Sequence, residues 1–174
     1  MFESIMYGVS VFVGIIAGVG VQIGVEIIKE KRYKKHEKDN LIFEIECNIA
    51  KIDRWLELFA DLNNKINSDR IVEFSGYFDF SSALFFTYYK LFQTGLLYSL
   101  LDKESICKIQ ENSTHLSAYG ENGFNSLVLR YKQDSITYGV GNVREYASRD
   151  VDIWKMTLDN CRERFVDVKK KLEK

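Results

Sequence analysis

Proline is missing altogether from this chain of 174 residues. Proline removes a backbone donor and breaks helices, so its absence favours long uninterrupted helices over a loop-rich or sandwich fold. Histidine is nearly as scarce, with two residues. No serine–histidine–aspartate pattern, phosphate-binding loop or HExxH zinc motif occurs in the sequence. The sequence therefore predicts an all-α protein that is not an enzyme and that has no catalytic residue, cofactor or metal.

Cysteine is also sparse. The three cysteines, Cys47, Cys107 and Cys161, are far apart and form neither a CxxC pair nor the Cys/His spacing of a metal site. Two of them, Cys47 and Cys161, fall inside apolar helical patterns, where a free thiol behaves as a small hydrophobic side chain. We expect free thiols in a reducing compartment rather than a disulfide.

Charged residues are missing from Ser4 to Val25. A helix of that length is roughly 33 Å long, enough to cross a hydrocarbon core of about 30 Å. The lack of Lys or Arg before the apolar run argues against a cleaved signal peptide. The alternating valines of this run also fit a strand, but lipid admits strands only in closed barrels. We predict a single N-terminal transmembrane helix in residues 1–28.

A basic cluster follows the apolar run directly and forms a juxtamembrane segment, residues 29–38. Its basic residues are Lys29, Lys31, Arg32, Lys34, Lys35 and Lys38. The positive-inside rule then predicts a single-pass protein of the bacterial inner membrane, with the N-terminus outside and the C-terminal body in the cytoplasm. The cluster fits a topology determinant and contact with anionic membrane lipids. A net charge of −1 argues against a nucleic-acid partner.

Two faces of the predicted transmembrane helix suggest different roles. One carries small residues that let helix backbones approach closely, which predicts a homo-oligomer, although glycine is also simply common in membrane helices. This packing face consists of Ser10, Gly14, Ala17, Gly18, Gly20 and Gly24. The other face collects the polar positions and predicts a pore lining, although Glu26 and Lys29 also fit residues that reach the membrane interface. The pore-lining residues are Ser4, Gly8, Val11, Ile15, Gly18, Gln22, Glu26 and Lys29.

The remaining chain, residues 39–174, reads as a cytosolic helical bundle. Two apolar stripes with spacings of three and four predict a first cytosolic helix that ends near Ile66 and a last helix at about 142–171, packed antiparallel. The first stripe is Ile42, Ile45, Ile49, Ile52, Leu56, Phe59 and Ile66, and the second is Val151, Trp154, Leu158, Cys161, Phe165, Val168 and Leu172.

The middle of the chain gives weaker signals. We predict a buried helix at 78–101, capped by Asp79 or Ser81 and broken near Gly95, with a second membrane span as the alternative. Asp102 should cap the helix that follows. The remaining predictions are a loop at 67–76, a helix at 103–119, a break at 120–123, a short element at 124–133 that fits a helix better than a strand, and a loop at 134–141.

One helical nuclease motif requires a direct test. HEPN ribonucleases use an arginine followed by four to six residues and a histidine. The pair Arg32 and His36 is one residue short of this spacing, and Arg149 is followed by four residues and then by Trp154. An indole ring cannot do acid–base chemistry, so a ribonuclease of this type is not expected.

The apolar run from Ser4 to Val25, the basic segment from Lys29 to Lys38 and the position of Arg149 carry one resemblance. As an architecture, the chain resembles the small membrane accessory protein of type VI-B CRISPR systems. The resemblance implies a ring-shaped membrane pore that strengthens RNA-triggered antiviral defence. The alternative is a membrane-tethered helical scaffold or adaptor that recruits a cytosolic protein effector and has no pore activity.

Overall fold

The computed structural model describes the backbone of residues 2–118 and 123–174, and the side chains of residues 18–117 and 123–174. The described part of the chain contains helices and no β-strand, so the all-α part of the prediction is confirmed. Six α-helices follow one another in these residues: α1 (Phe2–Asn67), α2 (Phe86–Gln93), α3 (Leu97–Leu100), α4 (Lys103–Ala118), α5 (Gly123–Tyr138) and α6 (Val140–Leu172). Two short 3-10 turns, Ile71–Glu73 and Phe80–Ser82, lie between α1 and α2.

The predicted transmembrane helix is not supported. Within the residues that the structure describes, no helix is both long enough and apolar enough to cross a membrane. In the part of α1 whose side chains are described, the uncharged stretch runs only from Gly18 to Val25, and charged residues begin at Glu26. The fold class and the single-pass inner-membrane localisation are both corrected accordingly, and the alternative of a second span at 78–101 fails on the same finding. Side chains 4–17 of the predicted span lie outside the described residues.

The chain divides into two compact units, residues 1–39 and residues 40–174. In the first unit, the described side chains from residue 18 onward project from α1 and are mostly exposed. Val21, for example, keeps 68% of its surface accessible. The second unit contains the hydrophobic core and the packed helices around it.

Helix α6 packs antiparallel to two other helices of the second unit. The ion pair of Arg162 with Asp53 spans 2.5 Å, and Lys169 pairs with Glu46 at 2.6 Å, so the residue number falls along α1 as it rises along α6. The predicted antiparallel packing of these two helices is confirmed. Helix α4 runs against α6 in the same sense, with Glu111 bound to Arg164 at 3.1 Å and with Asp102 bound to Lys171 at 2.9 Å.

Helices α5 and α6 form a hairpin around one residue, Gly139. Its φ of +87° is a conformation that L side chains rarely adopt, so a glycine makes this sharp reversal possible. The element predicted at 124–133 is a helix, as the sequence favoured, but α5 continues to Tyr138, so the predicted loop at 134–141 is wrong. A hydrogen bond between the two helices holds the extra turn, because Tyr146 of α6 donates to Asp134 at 2.8 Å.

The core of the second unit is strongly aromatic. The Phe59 and Phe78 ring centroids lie 4.5 Å apart, and Phe124 meets the Phe78 ring edge-on at 4.9 Å. Trp154 of α6 stacks on Phe80 with a centroid distance of 5.7 Å. These rings come from α1, α5, α6 and the segment between α1 and α2, so the aromatic cluster ties the non-helical segment to the bundle.

That segment is where the sequence prediction failed most clearly. Instead of a helix from residue 78, residues 74–79 and 83–85 are non-helical, and α2 begins only at Phe86. Two asparagine side chains replace the missing backbone partners. Asn125 accepts from the Phe78 amide at 3.0 Å and donates to its carbonyl at 2.8 Å, and Asn48 makes the same pair of bonds to Leu84 at 2.7 and 2.6 Å. Buried phenylalanines and these two side chains outweigh the local helical pattern.

Candidate interaction groove

Helix α2 begins where a buried carboxylate meets its first turn. The side chain of Glu44, 6% exposed on α1, accepts hydrogen bonds from the Thr87 and Tyr88 amides at 2.6 and 3.0 Å. Free amides at a helix N-terminus carry a partial positive charge, so an acidic side chain stabilises them. Neither Asp79 nor Ser81 caps this helix, which corrects the sequence prediction, because the cap comes from a distant part of the chain.

The other end of α2 is fixed by Gly95. Its φ of +74° places it in the left-handed region, and its amide bonds to the Phe92 carbonyl at 3.2 Å. A glycine in this conformation is a common helix terminator, and the predicted break near Gly95 is confirmed. The chain then turns into α3, where the Tyr98 ring lies 5.9 Å from the Phe92 ring. Tyr98 remains 63% exposed and Phe92 44% exposed, so the turn presents aromatic surface to solvent.

Helix α4 is placed by its own cap and by a buried face. The Ser105 amide donates to the Asp102 carboxylate at 2.7 Å, which confirms the predicted cap. Hydrogen bonding from Lys171 and next from Ser105 holds the pKa of the Asp102 carboxyl well below its usual range. The face toward the core buries Ile106, Ile109, Asn112 and Leu116. The opposite face carries the side chains that form a groove.

Two adjoining cavities make up this groove, which we call the aromatic groove. The larger, about 260 Å³, follows one face of α4 and is lined by Cys107, Gln110, Glu111, Thr114 and His115. The smaller, about 140 Å³, lies between α2 and α4 and is lined by Tyr88, Tyr89, Phe92, Gln110 and Thr114. Because the two cavities share Gln110 and Thr114, they form one continuous depression with an aromatic end and a polar end.

The aromatic end is held rigidly. The Tyr89 hydroxyl lies 2.5 Å from the Ser113 hydroxyl of α4, which ties α2 to α4. Tyr88 packs against both aromatic neighbours, with ring distances of 5.3 Å to Tyr89 and 6.3 Å to Phe92. Burial raises the pKa of Tyr88, so its hydroxyl stays protonated at neutral pH. Tyr89 is nevertheless 50% exposed, and it presents an apolar ring face beside polar donors.

The polar end does not assemble a nucleophile. Cys107 and His115 lie on the same face of α4 but eight residues apart, which is roughly 12 Å along a helix. A cysteine and its activating base need to be within hydrogen-bonding reach. Glu111 between them is engaged with Arg164 at 3.1 Å. Within the described residues, no group of three His, Cys, Asp or Glu side chains gathers closely enough to hold a metal ion.

The other cysteines do not change this picture. All three are free, and Cys161 is fully buried in α6. Burial raises the pKa of its thiol to about 11, so the reactive thiolate is disfavoured at neutral pH. Asn112 of α4 donates to the Cys161 carbonyl at 2.8 Å, and this buried contact joins the two helices. Cys161 therefore acts as a packing residue, in agreement with its position in the apolar stripe.

The residues predicted to line a pore or to pack helices are only partly described. Side chains at Ser4, Gly8, Ser10, Val11, Gly14, Ile15 and Ala17 lie outside the described residues. Gly18, Gln22, Glu26 and Lys29 are exposed on α1. A Cβ atom added at Gly18, Gly20 or Gly24 would meet nothing within 4 Å. The described residues of both predicted faces therefore lie on α1, where they are exposed except for the half-exposed Gly24.

The degenerate nuclease motif on α6 is occupied by structural contacts. Arg149 is exposed and lies 3.8 Å from its neighbour Asp150. Trp154 stacks on Phe80 and lies 5.0 Å from the Phe124 ring, so the position where HEPN proteins carry histidine is used for packing. The predicted disagreement with the nuclease pattern therefore has a structural reason.

The groove residues were missed by the sequence reading. The sequence pattern predicts a buried helix for Tyr88, Tyr89 and Phe92. For α4 it predicts only the capping residue and the bounds of the helix. One signal could have pointed to them: an aromatic-rich segment that is too dense in rings for a helix of eight residues to bury. Which rings stay exposed depends on the Glu44 cap and on the turn at Gly95, and both are set by tertiary structure.

A comparison with protein-family models, with curated proteins and with solved structures found no match to this chain. The resemblance to the type VI-B accessory protein therefore stays a prediction.

Proposed function

We propose that the chain is a helical adaptor whose aromatic groove binds a short apolar segment of a partner protein. The observation that carries the proposal is the exposure of Tyr89 and Phe92 in a groove that also offers amide and hydroxyl groups, with the exposed Tyr98 ring beside Phe92. Aromatic residues with a polar atom are enriched at protein interfaces, where they contribute much of the binding energy. The polar residues Gln110 and Thr114 add hydrogen-bonding groups at the centre of the groove.

The shape of the groove supports a peptide segment as the ligand. The depression follows α4 over roughly two helical turns, a length that suits a few residues of a bound chain. Its two cavities have different chemistry, so one apolar side chain fits the aromatic end while polar groups of the segment face the other end. The carboxylate of Glu111 is already paired with Arg164, so the groove has no unpaired charge there to select a charged ligand.

The pore function is not carried into this proposal. It required a helix that crosses a membrane, and no helix of the described residues can do so. The adaptor is the part of the alternative hypothesis that does not depend on such a helix. A role in antiviral defence remains a prediction from the resemblance alone.

Site-specific photo-crosslinking in cells that express the full chain tests the proposal. A photoreactive residue at Gln110 should give one discrete adduct with a second protein. The same residue at Gln133, an exposed glutamine on α5, should not. Adding Thr114→Arg should abolish the Gln110 adduct, because the longer charged side chain fills the groove.

The control for that substitution is Thr137→Arg. Both threonines are exposed, and each hydroxyl bonds to the carbonyl of the glutamine one turn earlier, at 3.0 Å in α4 and 2.9 Å in α5. An adduct equally strong at Gln133, or one unaffected by Thr114→Arg, would count against the groove. An adduct with the mass of two copies of the chain would show that the groove contacts a second copy of the chain and not another protein.

A further inference from the structure

Helix α1 carries a second surface, far in sequence from the aromatic groove and independent of it. Four lysines, Lys31, Lys34, Lys35 and Lys38, have the spacing i, i+3, i+4 and i+7. Residues with that spacing lie on one face of a helix. Lys31 and Lys35 are exposed, and Lys34 and Lys38 are half-exposed. We call these four residues the lysine stripe.

Three acidic residues near the lysine stripe lie on a different side of the helix. At 100° per residue, Glu26, Glu30 and Glu37 cluster about 110° around the helix from the centre of the lysine stripe. One contact crosses the border: Glu30 and Lys34 form an exposed ion pair of 2.7 Å. Exposed pairs of this kind contribute little energy and leave the lysine free to exchange partners. The helix geometry thus separates the lysine stripe from these three carboxyl groups.

Two exposed apolar residues continue the lysine stripe toward the N-terminus. Ile27 precedes Lys31 by four residues, Ile28 precedes it by three, and both stay about half exposed, at 47% and 53%. Their spacing puts them on the same face as the lysines. The face therefore combines large apolar side chains with a row of cations.

We propose that this face binds the surface of a membrane that contains anionic lipids. Lysines near such a surface are attracted by its negative potential, and adjacent apolar side chains enter the boundary between headgroups and acyl chains. Binding of this kind is peripheral and needs no helix across the bilayer. A nucleic-acid backbone is the less suitable polyanion, because its phosphates and sugars offer no apolar surface for Ile27 and Ile28.

Vesicle flotation with the purified full-length chain tests this inference. The protein should float with vesicles of equal parts phosphatidylglycerol and phosphatidylcholine, and should stay unbound with phosphatidylcholine alone. Added salt should weaken the binding, since it screens exposed charges. Each lysine near an anionic surface contributes about a fivefold gain in affinity, so changing all four lysines to Gln should weaken binding at least about 100-fold.

Matched controls separate this surface from a general charge effect. Changing Lys103, Lys155, Lys170 and Lys174 to Gln removes the same charge from four exposed positions elsewhere and should leave flotation nearly unchanged. Ile27→Ser with Ile28→Ser should weaken vesicle binding by about tenfold. The same exchange at two exposed isoleucines of the other unit, Ile136 and Ile153, should have no effect on it.

Three results would overturn the inference. The first is equal binding to both kinds of vesicle, and the second is a lysine-stripe variant that floats like its control. The third is tight, lysine-dependent binding to single-stranded RNA with no binding to vesicles, which would assign the stripe to a nucleic acid. The crosslinking test of the aromatic groove does not depend on vesicle binding, so the membrane proposal and the groove proposal can each fail without the other.

Discussion

Glu44 is the residue that fixes where α2 begins. Its buried carboxylate accepts from two amides of the first turn, and loss of that acceptor leaves both amides without their partner. We predict that Glu44→Ala lowers the free energy of unfolding by about 1 to 3 kcal/mol, the usual effect of leaving buried polar groups unpaired. Urea unfolding followed by circular dichroism measures the change. Glu57→Ala, at an exposed position of the same helix, should change stability by much less.

Ionisation of Tyr146 makes the folded protein less stable at alkaline pH. Burial, and next its hydrogen bond to Asp134, raises the pKa of the Tyr146 hydroxyl to about 12. Because the unfolded-state pKa is near 10, the folded protein favours the neutral phenol. The resulting stabilisation is complete below pH 10 and is lost as the pH rises toward 12. Thermal unfolding at pH 9, 10, 11 and 12 should show a smaller decline in Tyr146→Phe than in the exposed control Tyr138→Phe; equal declines would contradict this assignment.

At the scale of the element, the α5–α6 reversal depends on one backbone conformation. Gly139 has a φ of +87°, and Gly141 lies two residues later inside α6. Alanine at Gly139 should destabilise the protein by about 1 kcal/mol or more, because a Cβ is strained at positive φ. Alanine at Gly141 should stabilise it by up to about 1 kcal/mol, because alanine is the better helix former and the space there is open. Chemical denaturation of the two variants should give opposite signs, and equal signs would refute the account of this turn.

The elements that could be predicted are those whose own residues contain the deciding sequence pattern. Helix α6 shows an apolar stripe at spacings of three and four that is buried from Val151 to Leu172, with only Trp154 half-exposed. Helix α4 shows its cap, and the Asp102 side chain makes the expected bond. The break at Gly95 follows from a conformation that glycine adopts easily. In each case one residue type or one period decides the structure without help from the rest of the chain.

The elements that could not be predicted are decided by distant residues. Residues 78–85 have a local pattern that fits a helix, but Asn48 and Asn125 pair with the backbone there from α1 and α5. The last turn of α5 looks like a loop in sequence and is held by Tyr146 of α6. The aromatic groove has the same origin, since the Glu44 cap decides which α2 rings face α4. Composition alone does not contain this information.

At the scale of the whole molecule, the homo-oligomer prediction can be tested through the small residues of α1. Among the residues that the structure describes, no atom lies within 4 Å of a Cβ added at Gly20 or Gly24, so Gly20→Leu with Gly24→Leu should leave the free energy of unfolding unchanged. If the packing face joins copies of the chain, light scattering should give a multiple of 20.3 kDa for the native protein. The double variant should give the mass of a single chain. A native protein of monomer mass, or an oligomer that survives the double change, would contradict the prediction.

The central claim is that the aromatic groove binds a segment of a partner protein. The most direct measurement is the affinity of the purified chain for the partner that the crosslinking experiment identifies. Isothermal titration should show that Thr114→Arg weakens binding at least about tenfold, because the substitution fills a pocket near the centre of the interface. Thr137→Arg, matched in residue type, helix position and hydrogen bond, should bind like the native chain. Equal affinities for the two variants, with both proteins folded, would contradict the account.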